Sequence, residues 1–159
     1  MSTPPPTQDS LLSSFKQDHD RFERVIQRLS EEQQLRPISP EGWSVKDFLA
    51  HMAHWNAATN AVLVAYLHYQ PLPEIVPDGD EANAQMRQQD SSRSLQEVHQ
   101  YWQDSHTHLL HMLTDELDDT RLAEEVRTPW GNDQIAICVL LMEMCEHDRE
   151  HFLFIERHV

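Results

Sequence analysis

Apolar residues recur at intervals of three and four along four long segments, the spacing that lines one face of an α-helix. In the first segment Leu11, Phe15, Phe22, Val25, Ile26 and Leu29 make the stripe, which predicts a helix over residues 8–30. "LRPISPEGW" breaks the pattern with two prolines and a glycine. Ser44 is then a good N-cap, and Asp47 puts a negative charge in the first turn, where the helix dipole favours it. The second predicted helix covers 45–69, with Val45, Phe48, Leu49, Met52, Trp55, Val62, Leu63 and Tyr66 on its inner face. A third opens after Ser92 or Ser94 and carries Leu95, Val98, Trp102, Leu109, Leu110, Leu113 and Leu117. The fourth, capped by Asn132 or Asp133, runs over 133–159 with Ile137, Leu140 and Met144 in its stripe.

The second and third helices are joined by "QPLPEIVPDGDEANAQMRQQDSS", which holds three prolines and suits a surface path with a short helix near 81–88. A connection of this length in a compact domain is often a functional lid. "DDTRLAEEVRTPWGN" joins the third helix to the fourth, with Pro129 and Gly131 as breakers. Only 3 glycines occur in 159 residues, too few for the closely spaced turns of a sheet protein. The pattern predicts an all-α fold, a four-helix bundle with a long crossover between helices two and three. One domain over residues 9–159 follows a short disordered lead-in, 1–8.

Charge and cysteines narrow the partners. Lys and Arg total 12 against 27 Asp and Glu, a formal charge of -15, so the surface repels phosphate backbones and anionic lipid. Neither nucleic acid nor a membrane is expected as a partner. "MSTPPPTQDS" lacks the basic and apolar regions of a secretory signal, and no segment approaches a membrane span. Cys138 and Cys145 lie seven apart on one predicted helix, about 10 Å between Cα atoms, too far for a bridge. Two buried thiols in a reducing cytoplasm is the expectation.

Eleven histidines are unusually many, and their position on the helix wheel sorts them. In "CEHDREHFLFIE", His147 and His151 continue the row of Ile137, Leu140 and Met144, with Phe154 beyond, so they face inward. Four residues apart, their rings lie on one face and can share one metal ion. In "LAHMAHW" His51 falls about 70° from the stripe centre and His54 about 130°, which places His51 at the bundle's flank and His54 toward water. His51 reads equally as a ligand or as a half-buried histidine bonded to a backbone carbonyl. His99 and His106 lie near the third stripe, as core histidines or as ligands at the wrong end. His19, His108, His111 and His158 look solvent-facing, and His68 has no assigned role.

Other chemistries fit poorly. Neither a GxSxG elbow nor a glycine-rich phosphate loop is present. No histidine follows a Glu by three, as a ferritin-like di-iron centre requires. Cys145 lies about 160° round its helix from His147, so a Cys–His nucleophile would face two ways.

"PEGWSVKDFLAHMAHWN", "TPWG" and the terminal "HDREH" together resemble the DinB-like superfamily of four-helix bundles, from about Leu11 to the end. That group includes S-transferases using bacillithiol or mycothiol, and ClbS/DfsB-like proteins that share "GWSVKDxLAH". The resemblance implies a divalent metal (Zn, Ni or Fe) on His51, His147 and His151, matching the residues the wheel selects. It implies a metal-dependent enzyme activating a thiol or water, of S-transferase or hydrolase type, on a small-molecule substrate such as a low-molecular-weight thiol. The alternative is a non-catalytic small-molecule binding or stress-protection protein of the ClbS/DfsB kind. Trp43, Trp55 and Trp130 are candidates for the walls of a substrate pocket, and a homodimer is a further expectation. Three imidazoles of ordinary pKa would release the metal as pH falls below about 6.

Overall fold

The computed structural model describes residues 4–159, so the part of the expected lead-in over 1–3 lies outside it. Four long helices form the bundle: α1 (Gln8–Gln27), α3 (Val45–Leu67), α5 (Leu95–Asp115) and α7 (Ile137–His158). The short helices α2 (Glu31–Leu35), α4 (Asp80–Asp90) and α6 (Asp119–Leu122) sit in the connections, with two strands, β1 (Glu125–Arg127) and β2 (Gln134–Ala136). The all-α bundle and its crossover are as the hydrophobic pattern predicts.

Side-chain caps fix most helix starts. Ser44 and Ser94 each accept from the backbone N–H three residues on, and Asp47 and Glu97 reach back to the cap, so both boxes close. Thr7 caps α1, Gln8 N–H donates to Asp119 at 2.7 Å, and the Gln8 amide donates to Leu113 O at 2.7 Å. Residues 7 and 8 therefore belong to the folded domain rather than to a lead-in.

Three boundaries differ from the sequence reading. The first helix stops at Gln27, and Ser30 then caps α2 through a second box with Gln33. Leu29 still packs on the core beside Val25, so the apolar spacing runs on across the break. The last helix begins at Ile137 instead of residue 133, because 125–136 fold back as an antiparallel hairpin with Val126 opposite Ile135. Neither Asn132 nor Asp133 caps it. Ala136 holds the cap position without a side-chain bond, and Ile137 N–H is taken by Glu124 O at 2.9 Å from the hairpin.

Contacts fix the direction of each helix. Lys46 donates to Ser91 O and Asn60 to Ser105 O, so α3 and α5 run parallel. Phe48 meets Phe154 while Trp55 meets Trp130, so α7 runs antiparallel to α3. Gln8 lies near Leu113 and Glu23 near Gln103, which makes α1 antiparallel to α5. Parallel neighbours oblige the chain to return the length of α3, roughly 35 Å at 1.5 Å per residue, and the segment through α4 does this.

The interior divides into two apolar clusters. One gathers Phe22, Ile26, Val45, Leu49, Met52, Trp102 and Phe152; the other gathers Leu11, Phe15, Leu63, Leu109, Leu113, Leu140 and Met144. In sequence, Asn56, Thr59, Asn60, Ser105, His106 and Asp148 fall between the two sets on their helices, and all six are buried. The bundle thus has a polar waist. No helix among the described residues is long and apolar enough to cross a membrane.

Adjacent residues on α5 test the assigned face. Leu109 is fully buried and His108 exposed. Leu109→Ala should cost about 2–5 kcal/mol, and His108→Ala should stay within about 0.5 kcal/mol of wild type. Urea unfolding read by circular dichroism checks both.

Candidate metal centre

His51 stands two turns into α3, and His147 and His151 one turn apart on α7, so the antiparallel α3–α7 pair brings three rings together. His147 Nε2 lies 3.1 Å from His51 Nε2 and 3.1 Å from His151 Nε2. One ligand atom from each residue lies within 4.8 Å of the others. His51 is buried and the other two are half-buried.

Protons fit this cluster poorly. Asp148 Oδ1 lies 3.0 Å from His147 Nδ1, and an ionised carboxylate can only accept. With Asp148 ionised, the His147 proton sits on Nδ1 and a single lone pair is left on Nε2, which lies 3.1 Å from a ring nitrogen of His51 and of His151. At most one of them can donate well to it. A metal ion suits the set better. Nitrogens bound at 2.0–2.1 Å lie about 3.3 Å apart around a tetrahedral ion and about 3.0 Å apart at adjacent octahedral positions. The two 3.1 Å separations from His147 fall between these values. The three donors fit a divalent ion, and a set of three protein ligands leaves positions open to substrate.

Asp148 continues inward: its Oδ2 accepts from Asn56 Nδ2 at 3.0 Å. Burial raises the Asp148 pKa, and the bonds from His147 and Asn56 oppose the rise. Sequence reasoning missed both residues. The signal was the interruption of the α3 stripe between Trp55 and Val62, where Asn56, Thr59 and Asn60 take inward positions. Burial, then the neighbouring imidazoles, lowers His51 to about 3, and burial with His147 lowers His151 to about 4. These two rings therefore resist protonation well below the pH 6 expected of ordinary histidines, which moves acid release of a metal downward.

A cavity of about 380 Å³ opens over the three rings, lined also by Trp55, Trp130, Met144, Asp78, Asn83 and Glu143. Trp130 comes from the β1–β2 turn and meets Trp55 edge to face. Asp78 and Asn83 come from the crossover, which is tied down where Val76 N–H donates to Pro129 O at 2.9 Å and Arg127 donates to Pro73 O. Arg87 of α4 holds the other end, donating to Gly42 O at 2.6 Å and pairing with Asp47. Gly42 takes a φ of 84° in the turn before α3, a conformation that suits glycine. Trp43 does not line the cavity; it packs edge-on against His51 at 5.4 Å and walls a neighbouring depression with Asp47 and Arg87.

The other histidines lie elsewhere. His106 Nε2 donates to Phe15 O at 3.2 Å and His99 Nε2 bonds Gln34 Oε1 at 2.9 Å, so His106 is a core histidine and His99 a half-buried one, each with a partner. His19 is not solvent-facing: it is half-buried, stacked on His106 at 3.9 Å and on Trp102 at 4.6 Å. His54 does not point to water either. It is half-buried with its Nε2 enclosed, and Asp90 and Arg93 stand close enough to act on its charge. The crossover lies along that side of α3, a covering that a helix wheel cannot reveal. His108, His111 and His158 are exposed as expected. Cys138 and Cys145 are free and buried. Burial, then Asp18, pushes the Cys145 thiol up to about 12, so it is no nucleophile for the imidazoles.

A family model described as the DinB superfamily matches residues 14–155, and the chain belongs to that superfamily. Among solved structures it is similar to the mycothiol-dependent maleylpyruvate isomerase, with a TM-score of 0.76 and 15% identity over 93% of this chain. The chain spans 60% of that isomerase's length. It is also similar to YfiT from Bacillus subtilis, described as a probable metal-dependent hydrolase with an unusual four-helix bundle topology. There the TM-score is 0.73 and the identity 16%, over 98% of this chain and 90% of that one. No curated protein matches the chain.

The carboxylate behind His147 gives one test. Asp148→Asn retains the shape but loses the charge that fixes the ring, and should weaken metal binding by about 10–100-fold in competition titrations with a chelator. Acid gives another. His51, His151 and His106 have folded-state pKa values near 3, 4 and 4, below the roughly 6.5 of an unfolded chain. The unfolded chain takes up protons first, so the stability of metal-free protein should be full above about pH 6.5 and decline toward about pH 4. Melting temperature against pH should show that decline, with a smaller slope in His106→Gln.

Proposed function

We propose that His51, His147 and His151 hold a divalent zinc, nickel or iron ion and that the chain is a metal-dependent enzyme. The observation that carries this reading is the convergence of three ring nitrogens at metal-ligand spacing on the floor of a cavity. The reaction class is activation of a thiol or water, for S-transfer or hydrolysis of a small molecule, such as a low-molecular-weight thiol adduct. The bound ion would acidify its water or thiol, and three neutral ligands leave its charge free to do so. The chain's own residues do the rest. Asp148 holds the His147 proton on Nδ1 and so presents the Nε2 lone pair. Trp55 and Trp130 wall the cavity and limit water around the reacting atoms. Superfamily membership, and the metal-dependent hydrolase and mycothiol-dependent isomerase among its structural relatives, support the reading. We place the protein in the cytoplasm, as a homodimer.

Protein purified without a polyhistidine tag or chelator should carry or take up one equivalent of Zn, Ni or Fe by elemental analysis. The His51/His147/His151→Ala variant should take up none. His151→Ala should lose both the metal and its stabilisation, which is about 2.7 kcal/mol at a hundredfold excess over Kd, whereas His54→Ala should keep both. Wild type unable to bind any of the three ions would sink the proposal. Metal-independent binding of small molecules, unaffected by His51→Ala, would favour the sequestering alternative.

A further inference from the structure

The cavity over the three imidazoles is charged in one sense only. Asp78 reaches it from the crossover and Glu143 from α7, one turn before His147, and both are exposed. Asp78 Oδ1 accepts from Gly79 N–H at 2.7 Å, which fixes its carboxylate at the rim. Glu143 takes part in no hydrogen bond or ion pair among the described residues. Asn83 also lines this space, though its amide oxygen is enclosed by protein and without a partner. No Lys or Arg lines the cavity. The crossover's own arginines are engaged elsewhere, Arg87 with Asp47 and Gly42 O, and Arg93 with Asp90.

Such a wall selects by charge. An entering carboxylate would face Asp78 and Glu143, and apart from the metal ion of the proposed site no cation on the lining would answer it. An ammonium group would meet both carboxylates. The balance of charge agrees. A dication on neutral rings, one bound thiolate and two carboxylates leave the cavity with a single net negative charge, and one ammonium neutralises it.

We propose that this site takes a small ligand bearing a positively charged amino group beside its metal-binding atom, and that Asp78 and Glu143 select against carboxylate-bearing counterparts. The proposal rests on the metal site described above. At about 380 Å³ the cavity suits a compact molecule, so the amine lies close to the reacting atom.

The test uses the full chain, free of any tag and loaded with cobalt(II), at pH 7.5 and low ionic strength. It is titrated with cysteamine, 2-mercaptoethanol and mercaptoacetate, thiols of similar size that differ in charge. Thiolate-to-cobalt absorption and tryptophan fluorescence report binding. Cysteamine should bind at least about tenfold more tightly than mercaptoacetate, with 2-mercaptoethanol between them. The ratio should fall to within about threefold in Asp78→Asn/Glu143→Gln, and should shrink in about 0.5 M salt. Both residues are exposed, so the variants should fold; a thermal melt checks this, and Glu143→Gln alone serves if the double variant melts low. Equal or tighter binding of mercaptoacetate overturns the proposal, as does a preference that survives the substitutions. Failure to take up cobalt overturns the metal reading and this proposal together, whereas uptake without charge preference overturns only the selectivity.

Discussion

The interior depends on how one buried carboxylate is held. Asp148 bridges His147 on its own helix and Asn56 on the facing one, so a single side chain joins the ligand face of α7 to the polar waist of α3. A carboxylate taken out of water costs several kcal/mol unless its oxygens find donors, and here both do. The pairing gives the α3–α7 contact a fixed register, which slippage of apolar side chains alone would not impose. The same bond sets the His147 tautomer. Structural specificity and ligand geometry therefore come from one group.

The topology follows from a related need. A ring of ligands from two antiparallel helices forms a floor, and a floor needs walls. A parallel α3–α5 pair forces the chain to travel back along the bundle, and the returning segment brings Asp78 and Asn83 over the rings. The hairpin before α7 supplies Trp130 and also caps that helix through Glu124 O, a role that side chains play at the other long helices. The long connections thus supply much of the cavity wall, Asp78, Asn83 and Trp130, while the helices supply the three imidazoles and Glu143.

Much of this was legible in the sequence, and the boundary is physical. Helical periodicity showed the four long helices, because each buries an apolar stripe along one face. Position on that stripe marked His147 and His151, since a histidine continuing an apolar row has to face inward, whereas His51, at the flank of its stripe, was singled out only with the family resemblance. The wheel failed at His54 and His19. It assumes that the side away from the core meets water, and a crossover or a neighbouring helix can cover that side. It also passed over Asn56 and Asp148, because a polar residue on an inner face looks like a gap in the stripe until its partner is known. The hairpin was hidden for another reason: three-residue strands carry too little alternation to stand out from a loop.

An acidic chain built around three neutral ligands has to place its negative charge with care. A carboxylate in direct contact with the ion would blunt its power to acidify a bound thiol or water. This chain keeps its carboxylates one layer out: Asp148 behind His147, and Asp78 and Glu143 on the cavity wall. On the proposed reading, Asp148 would orient His147 from there, and Asp78 and Glu143 would bias by charge what enters, without occupying positions on the ion. The excess of acidic residues, which by composition alone only argues against anionic partners, would at this cavity become a means of choosing substrate.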